Sequence, residues 1–297
     1  MTRLAKAYFL DSEYKPLRCV LLYKPGPEIG RIPRPQEVLH LKKIDYGKIC
    51  GEYEEIIRLY KRFKIKVHLL KPLKSKSPEN RYLFNLMYTR DLLFMSPAGA
   101  IISRMCHGLR REETKQAETF LKRINIPIRN AIGGKGTFEG ADALWVNKKL
   151  VMVGVGRRTN QEGFRQIKEA LKSQGVSCIS VAAPKGTLHL LGALQFVDSD
   201  LALVRTELVN TRIIGLLKEN KIKLVNIPEN TEVRNRQAMN IVAIAPKKII
   251  MPAGCPKTRK IYESYGIKIA ALVRITQLIN GGGGLACAAA VIKREAK

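Results

Sequence analysis

The stretch ALWVNKKLVMVGV (143–155) reads as a β-hairpin. Two apolar runs, Ala143–Val146 and Leu150–Val155, flank a polar turn, Asn147-Lys148-Lys149. Turn residues between two β-prone runs are the composition of a tight antiparallel connection. After it comes a segment of helical period over about 161–173, with Phe164, Ile167 and Leu171 on one face, and then a β-branched run over 176–181. The unit is strand, strand, helix, strand.

The same unit recurs along the chain. A second has apolar runs at 92–95 and 100–102 about the turn Ser96-Pro97-Ala98-Gly99, a helix over about 112–123 and a strand over 124–128. A fourth runs 194–197, 201–204, a helix near 211–219 and a strand at 223–227; a fifth runs 241–245, 249–251, a helix near 258–264 and a strand at 267–272. The first begins near Cys19–Tyr23, with a helix at about 52–63 and a strand at 65–70. Asp91 to Asp142 is 51 residues, Asp142 to Leu194 is 52 and Leu194 to Asn240 is 46. A period near 50 predicts radial repetition, because one such unit cannot bury its own apolar face whereas a closed ring can. The expected fold is a five-bladed pseudo-symmetric α/β-propeller of ββαβ repeats, one domain over residues 1–297. KPLKSKSPENR (71–81) reads as an exposed loop, and PGPEIGRIPRP (25–35) as a long loop able to act as a lid.

Composition narrows the class. Hydrophobic residues make up 45% of 297 residues, an ordinary globular proportion. No apolar run is long enough to span a bilayer, and Asp11 and Glu13 interrupt the N-terminal apolar segment too early for a secretory signal. Six scattered cysteines without a CxxC pair indicate neither zinc nor a disulfide framework, and a reducing cytoplasm is the expected compartment. The charge is unusual: 53 basic against 25 acidic residues give +28. Such an excess attracts polyanions, yet the basic residues fall in small groups such as Arg110-Arg111 and Lys247-Lys248 without interleaved aromatics. A nucleic-acid partner is therefore kept in view but not favoured, and the sequence leaves open a homodimer.

Chemically distinctive residues stand at equivalent places beside the hairpins. Asn85-Leu86-Met87-Tyr88-Thr89-Arg90-Asp91 precedes unit two, Glu139-Gly140-Ala141-Asp142 unit three, and Leu188-His189-Leu190-Leu191 unit four; after unit five come Gly281–Gly284, Leu285, Ala286 and Cys287. Four consecutive glycines let the backbone pass close to a bound molecule. Each residue also has a plain structural reading. Cys287 heads the apolar run 288–292 and free cysteine is often buried; His189 sits among leucines; Glu139, Asp142 and Asp91 could fix turns. If the repeat is real, these loops share one cavity and bring together a nucleophile, a base and orienting acids, the set that covalent catalysis requires.

In that order and spacing the loops resemble those of the guanidino-group-modifying enzymes, the pentein family of arginine deiminases, amidinotransferases and dimethylarginine dimethylaminohydrolases. The motifs are NLMYTRD (85–91), EGAD (139–142), VGVGRRTN (153–160), LHLL (188–191) and GGGGLAC (281–287). The resemblance implies that Cys287 attacks the guanidinium carbon, that His189 protonates the leaving amine and then activates water, and that Glu139 orients His189. Asp91 and Asp142 would bind the substrate with Asn85, and Arg110 and Arg158 would grip its α-carboxylate. No metal or organic cofactor is implied, and the partner is a small guanidino compound. Leu191 stands where the deiminases and transferases carry a second guanidinium-binding Asp, which favours an Nω-methylated arginine. NLMYTRD is closer to the deiminase branch, and Asn85 and Gly282 replace acids of the dimethylarginine branch. Arginine deimination and amidino transfer are the alternatives, and a non-catalytic, rRNA-binding pentein is the rival that the basic charge would suit.

Overall fold

In the computed structural model, which describes residues 10–73 and 83–296, five three-stranded sheets are arranged as the blades of an α/β-propeller. The first sheet holds β1 (Leu17–Leu22) and, after helix α1 (Tyr46–Arg62), the parallel strand β2 (Lys66–Leu69). The second is the hairpin β3 (Leu93–Ser96)–β4 (Gly99–Ile102), then α2 (Arg111–Arg123) and β5 (Ile128–Ala131). The third is β6 (Ala143–Asn147)–β7 (Leu150–Val155), α3 (Gln161–Lys172) and β8 (Ser177–Ala182). The fourth is β9 (Leu194–Asp198)–β10 (Leu201–Val204), α4 (Thr211–Glu219) and β11 (Lys223–Asn226). A short helix, α5 (Thr231–Asn235), leads to the fifth: β12 (Val242–Ala245)–β13 (Lys248–Pro252), α6 (Pro256–Ser264) and β14 (Lys268–Val273). A last helix, α7 (Thr276–Asn280), precedes β15 (Ala290–Arg294).

In every blade the two hairpin strands are antiparallel and the third, reached through the helix, is parallel to the second. Residues of β3 and β4 are buried without exception, whereas β5 alternates half-buried and exposed. Continuous apolar runs belong to strands covered on both faces and alternation to a strand covered on one, so the hairpins form the inner part of each blade. The helix starts follow side-chain caps. Asp45 accepts the Lys48 amide at 2.9 Å, Asn160 that of Gly163 at 2.8 Å and Asn210 that of Ile213 at 3.0 Å. The Asp45 cap starts α1 six residues before the periodicity of its apolar face suggests. Neighbouring blades are locked by stacking of Phe94 on Trp145, 5.7 Å between centroids, with the Trp145 indole donating to Met95 O at 3.3 Å.

The first blade departs from the pattern read in the sequence. Its hairpin partner comes from the other end of the chain: β15 pairs antiparallel with β1, with Leu21 opposite Ala290 and Val20 opposite Val291. The two termini thus close the ring, and the apolar run after Cys287 is that closing strand. Of the loop expected over 71–81, residues 74–81 lie outside the described residues. Segment 25–35 makes two short 3-10 turns, Pro27–Arg31 and Pro35–Val38. The residues that reach the cavity described below come just after it: Gln36, Leu39, His40 and Leu41.

Candidate active site

Each of blades two to five, and the closing strand of blade one, is entered through a short turn; Asp91, His189 and Cys287 from three of these turns line one cavity of about 310 Å³, and Glu139 and Asn240 from the other two stand behind them, bonded to His189 and Cys287. Asp91 lies just before β3, Glu139 before β6, His189 before β9, Asn240 before β12 and Cys287 before β15. Pseudo-fivefold repetition therefore delivers one polar side chain per blade. Four of these the sequence motifs single out. Asn240, the fifth, is missed, although it marks the end of the last repeat interval and so occupies an equivalent position.

Cys287 is half-buried at the cavity wall and forms no disulfide. Asn240 holds it from both sides: its Nδ2 donates to Cys287 Sγ at 3.2 Å, and its Oδ1 accepts the amides of Ala286 at 2.6 Å and Cys287 at 3.3 Å. A Cβ on Gly284 would stand 2.5 Å from Asn240 Cγ, so this glycine is required for the close approach. Gly281 to Gly283 line the cavity, and the Tyr88 hydroxyl accepts the Gly283 amide at 3.2 Å while donating to Leu278 O at 2.8 Å. The NLMYTRD segment fixes the Cys287 loop from the other side. The Arg90 amide donates to Cys287 O at 3.0 Å, and Thr89 Oγ1 accepts the Ala290 amide at 2.9 Å. Burial and the Asp91 carboxylate push the Cys287 thiol up, against the hydrogen bonds from Asn240 and the Gly284 backbone and the Arg110 charge, which lower it.

His189 Nε2 lies 2.6 Å from Glu139 Oε2, and its Nδ1 is 3.8 Å from Asp91 Oδ1. Burial alone would lower the imidazole, but Asp91, Asp142 and Glu139 overcome it and hold His189 up at about 9. Glu139 is fully buried; burial favours its neutral form, yet His189 with Arg110 and Arg158 holds it well below the usual carboxylate range. The pair is thus imidazolium and carboxylate at neutral pH, a proton donor presented beside a thiol.

Asp142 takes a position other than the one expected, and Arg110, which lines the cavity, is held there by carboxylates. Asp142 does not line the cavity. Its Oδ2 accepts the Thr159 hydroxyl at 2.7 Å and its Oδ1 the Leu190 amide at 3.0 Å, so both oxygens are spent on fixing the loop that carries His189. Arg110, expected at a carboxylate, is itself buried among carboxylates: Nη1 donates to Asp91 Oδ2 at 2.8 Å and Nε to Glu113 Oε2 at 2.9 Å. Burial pushes Glu113 up to about 7, while the surrounding acids keep Arg110 charged despite its burial. Arg158 remains at the wall, 3.4 Å from Glu139 Oε1, and Asn85 is there too, its Nδ2 donating to Val38 O at 2.8 Å. Leu191 faces elsewhere, lining the axial channel with Glu13, Arg90 and Arg294. The argument that its apolar side chain makes room for substrate methyl groups has no support in this placement. His40, unnoticed in the sequence, is a buried part of the wall, and burial lowers it to about 4, so it is neutral.

One acceptor in this network is left over. Asp91 Oδ1 is buried and has no hydrogen-bond partner. Asp91, Glu139 and His189 each present a ligand atom within 4.8 Å of the others, a spacing that would admit a metal ion. Two guanidinium groups, Arg110 and Arg158, already stand on these carboxylates and compete with a metal for them.

Five ββαβ blades with a Cys, a His and acids at one end of the ring define the pentein class of guanidino-modifying proteins. Residues 38–294 match the family described as N,N dimethylarginine dimethylhydrolase, eukaryotic, and the chain belongs to that family; it is a hydrolase acting on an amidine C–N bond. It is 27% identical over 248 residues to the N(G),N(G)-dimethylarginine dimethylaminohydrolase of Pseudomonas aeruginosa, covering 84% of this chain and 90% of that protein. It is 24% identical over 251 residues to an arginine deiminase of Borrelia duttonii, covering 71% of this chain and 61% of that one. The fold agrees with a Pseudomonas aeruginosa dimethylarginine dimethylaminohydrolase variant complexed with citrulline, with TM-score 0.73, 22% identity, and 93% and 99% of the two chains covered. It agrees equally with the amidinotransferase SxtG of Microseira wollei, with TM-score 0.79, 16% identity, and 98% of each chain covered. No helix among the described residues is long and apolar enough to cross a membrane.

Proposed function

We propose that the cavity converts an Nω-methylated arginine to citrulline and the corresponding methylamine through a covalent intermediate on Cys287. The observation that carries this reading is the unpartnered carboxylate oxygen, Asp91 Oδ1, in the wall that also holds His189 and Cys287. A buried oxygen without a donor is costly, and a guanidinium N–H supplies one with opposite charge. Only one such oxygen is free, because Asp91 Oδ2 is held by Arg110 and Glu139 by His189, Arg158 and the Cys106 amide. An unmodified guanidinium would bring several N–H groups to a site with one spare carboxylate oxygen. Two methyl groups on one nitrogen remove two of those donors and leave fewer unpaired.

Cationic substrate beside Cys287 favours the thiolate. Sγ attacks the guanidinium carbon, the imidazolium of His189 transfers its proton to the departing dimethylamine, and a thiouronium remains on sulfur. Neutral His189 then takes a proton from water as its oxygen adds to that carbon, and expulsion of the Cys287 thiolate leaves citrulline. Glu139 holds the imidazole in place and stabilises its charged form. Arg158, the less committed of the two arginines, receives the substrate carboxylate at the mouth, with Asn85 on the same wall. Arg110 fixes Asp91 instead. The chain works in the cytoplasm on this reading.

Citrulline release from asymmetric dimethylarginine, monomethylarginine and arginine, measured side by side, tests it. The expected order puts the methylated substrates first, with no release by Cys287→Ala. Preference for free arginine keeps the mechanism and removes the substrate assignment. A wild type silent on all three removes the reading altogether.

A further inference from the structure

A second cavity, of about 570 Å³, opens on the far side of the strap that walls the active site. Lys42, Arg236 and Arg274 line it with the polar side chains of Thr231, Asn235 and Asn280, and no carboxylate does. Among the described residues none of these three cations has an ion-pair partner, whereas Arg90, Arg110, Arg158 and Arg205 each have one. All three are exposed to solvent, and a concave site lined by charges of one sign focuses their field and attracts an anion. The backbone is cleared for one of them: Gly254 has φ +78°, and a Cβ there would stand 2.6 Å from Arg236 Nη1. Without a Cβ at this left-handed glycine, the Arg236 guanidinium comes close to the backbone at the cavity wall.

We infer that this cavity is a binding site for a small polyanion carrying two or more phosphate groups. Two guanidinium forks and an ammonium match phosphate oxygens in geometry and charge, and the volume is within the range of small-molecule sites. The cavity shares a wall with the catalytic one. The amides of Leu41 and Lys42 donate to Asn280 O at 2.8 and 2.9 Å, and Asn280 Nδ2 donates to Lys43 O at 3.1 Å. Leu41 and Gly281 face the catalytic cavity, while Lys42 and Asn280 face this one. An anion held by Lys42 and α7 therefore stiffens the strap and the glycine run that leads to Cys287.

The test is titration calorimetry of the full chain with inorganic pyrophosphate at about 0.15 M salt, where weak surface attraction is screened. One site per chain is expected. Arg236→Ala and Arg274→Ala each weaken it by about tenfold or more, a loss of about 1.4 kcal/mol. Arg236→Lys, which keeps the charge and loses the fork, falls between. Arg158→Ala, in the catalytic cavity, binds pyrophosphate as the wild type does. Thermal unfolding of each unliganded variant shows whether it is folded, and a pyrophosphate-induced rise in Tm absent from folded Arg236→Ala or Arg274→Ala supports the site independently. Absence of saturable pyrophosphate binding by the wild type overturns the inference. So does binding that survives both alanine substitutions, that is lost in Arg158→Ala, or that single-stranded RNA alone can produce. None of these readouts uses catalysis, so the inference stands or falls apart from the proposed reaction.

Discussion

Two arginine–carboxylate clusters are buried in the ring, one closed round a small void and one open to the larger cavity, and they differ in what they leave over. In the closed cluster Glu13 accepts from Arg90 Nη2 and from the Trp145 amide, around a void of only about 30 Å³. The atoms without partners there are donors, Arg90 Nε and Arg294 Nε. Burial and the neighbouring Arg90 push Arg294 down to about 10, so that cluster resists a further cation. At the open cluster the cavity is about 310 Å³ and the spare atom is an acceptor, Asp91 Oδ1. A buried spare acceptor among acids attracts a guanidinium; spare donors among arginines do not. The same residue types thus make a structural plug in one cluster and a candidate substrate site in the other.

The sharpest way to break this contrast is at the nucleophile and at the two acids. Cys287→Ala should lower citrulline release by about 10³-fold or more in steady-state assays while leaving Tm within a few degrees, because the proposed mechanism has no other nucleophile at that position. Asp91→Asn should lower kcat/KM by about 10²-fold, the scale of losing a charged contact to the reacting group. Glu13→Gln should instead cost about 3 kcal/mol in urea unfolding, as breaking a buried pair does, and leave kcat/KM of the folded enzyme nearly unchanged. If the two substitutions traded effects, the functional assignment of the two clusters would be reversed.

Smaller effects sharpen the picture of the open cluster. The thiol is raised above its ordinary value and His189 stands at about 9. The rate gains as pH rises toward the thiol pKa and is lost as His189 gives up its proton above about 9, so kcat/KM should climb from pH 6 toward 9. An optimum below pH 7 contradicts this electrostatic account. Asn240→Ala removes the N–H donor to sulfur and should move the acidic limb upward, with a loss of about tenfold at neutral pH, the scale of one hydrogen bond to a charged group. A merely structural Asn240 would lower Tm and leave the limb in place. The smallest effect on chemistry is expected at Leu191→Ala: about 2–3 kcal/mol of stability is lost from the buried site. The ratio of methylated to free arginine turnover should stay the same, because Leu191 faces the axial channel.

Much of this was legible in the sequence for a physical reason. Inner hairpins buried on both faces must be continuously apolar, and helices half covered must show a 3.6-residue period, so the 50-residue repeat is written in composition. Glu139, His189 and Cys287 were found because they stand at equivalent places in that repeat. Asn240 stands there too, but an asparagine before a strand looks like any turn residue, and only its 3.2 Å contact with Sγ reveals it. The partner of β1 was hidden because pairing between chain ends leaves no local trace.

The sequence by itself determined four of the blades and the repeat that calls for a ring, since these depend on local periodicity and residue type; the strand that completes the first blade and closes the ring was decided only in the fold. The tertiary structure alone decided how the side chains at its mouth share one another's charges. It turned Asp142 to the His189 loop, Arg110 to Asp91 and Glu113, and Leu191 to the axial channel. Partner choice among buried ions depends on distances of a few ångströms between residues far apart in the chain, and falls with separation in a way no linear pattern encodes.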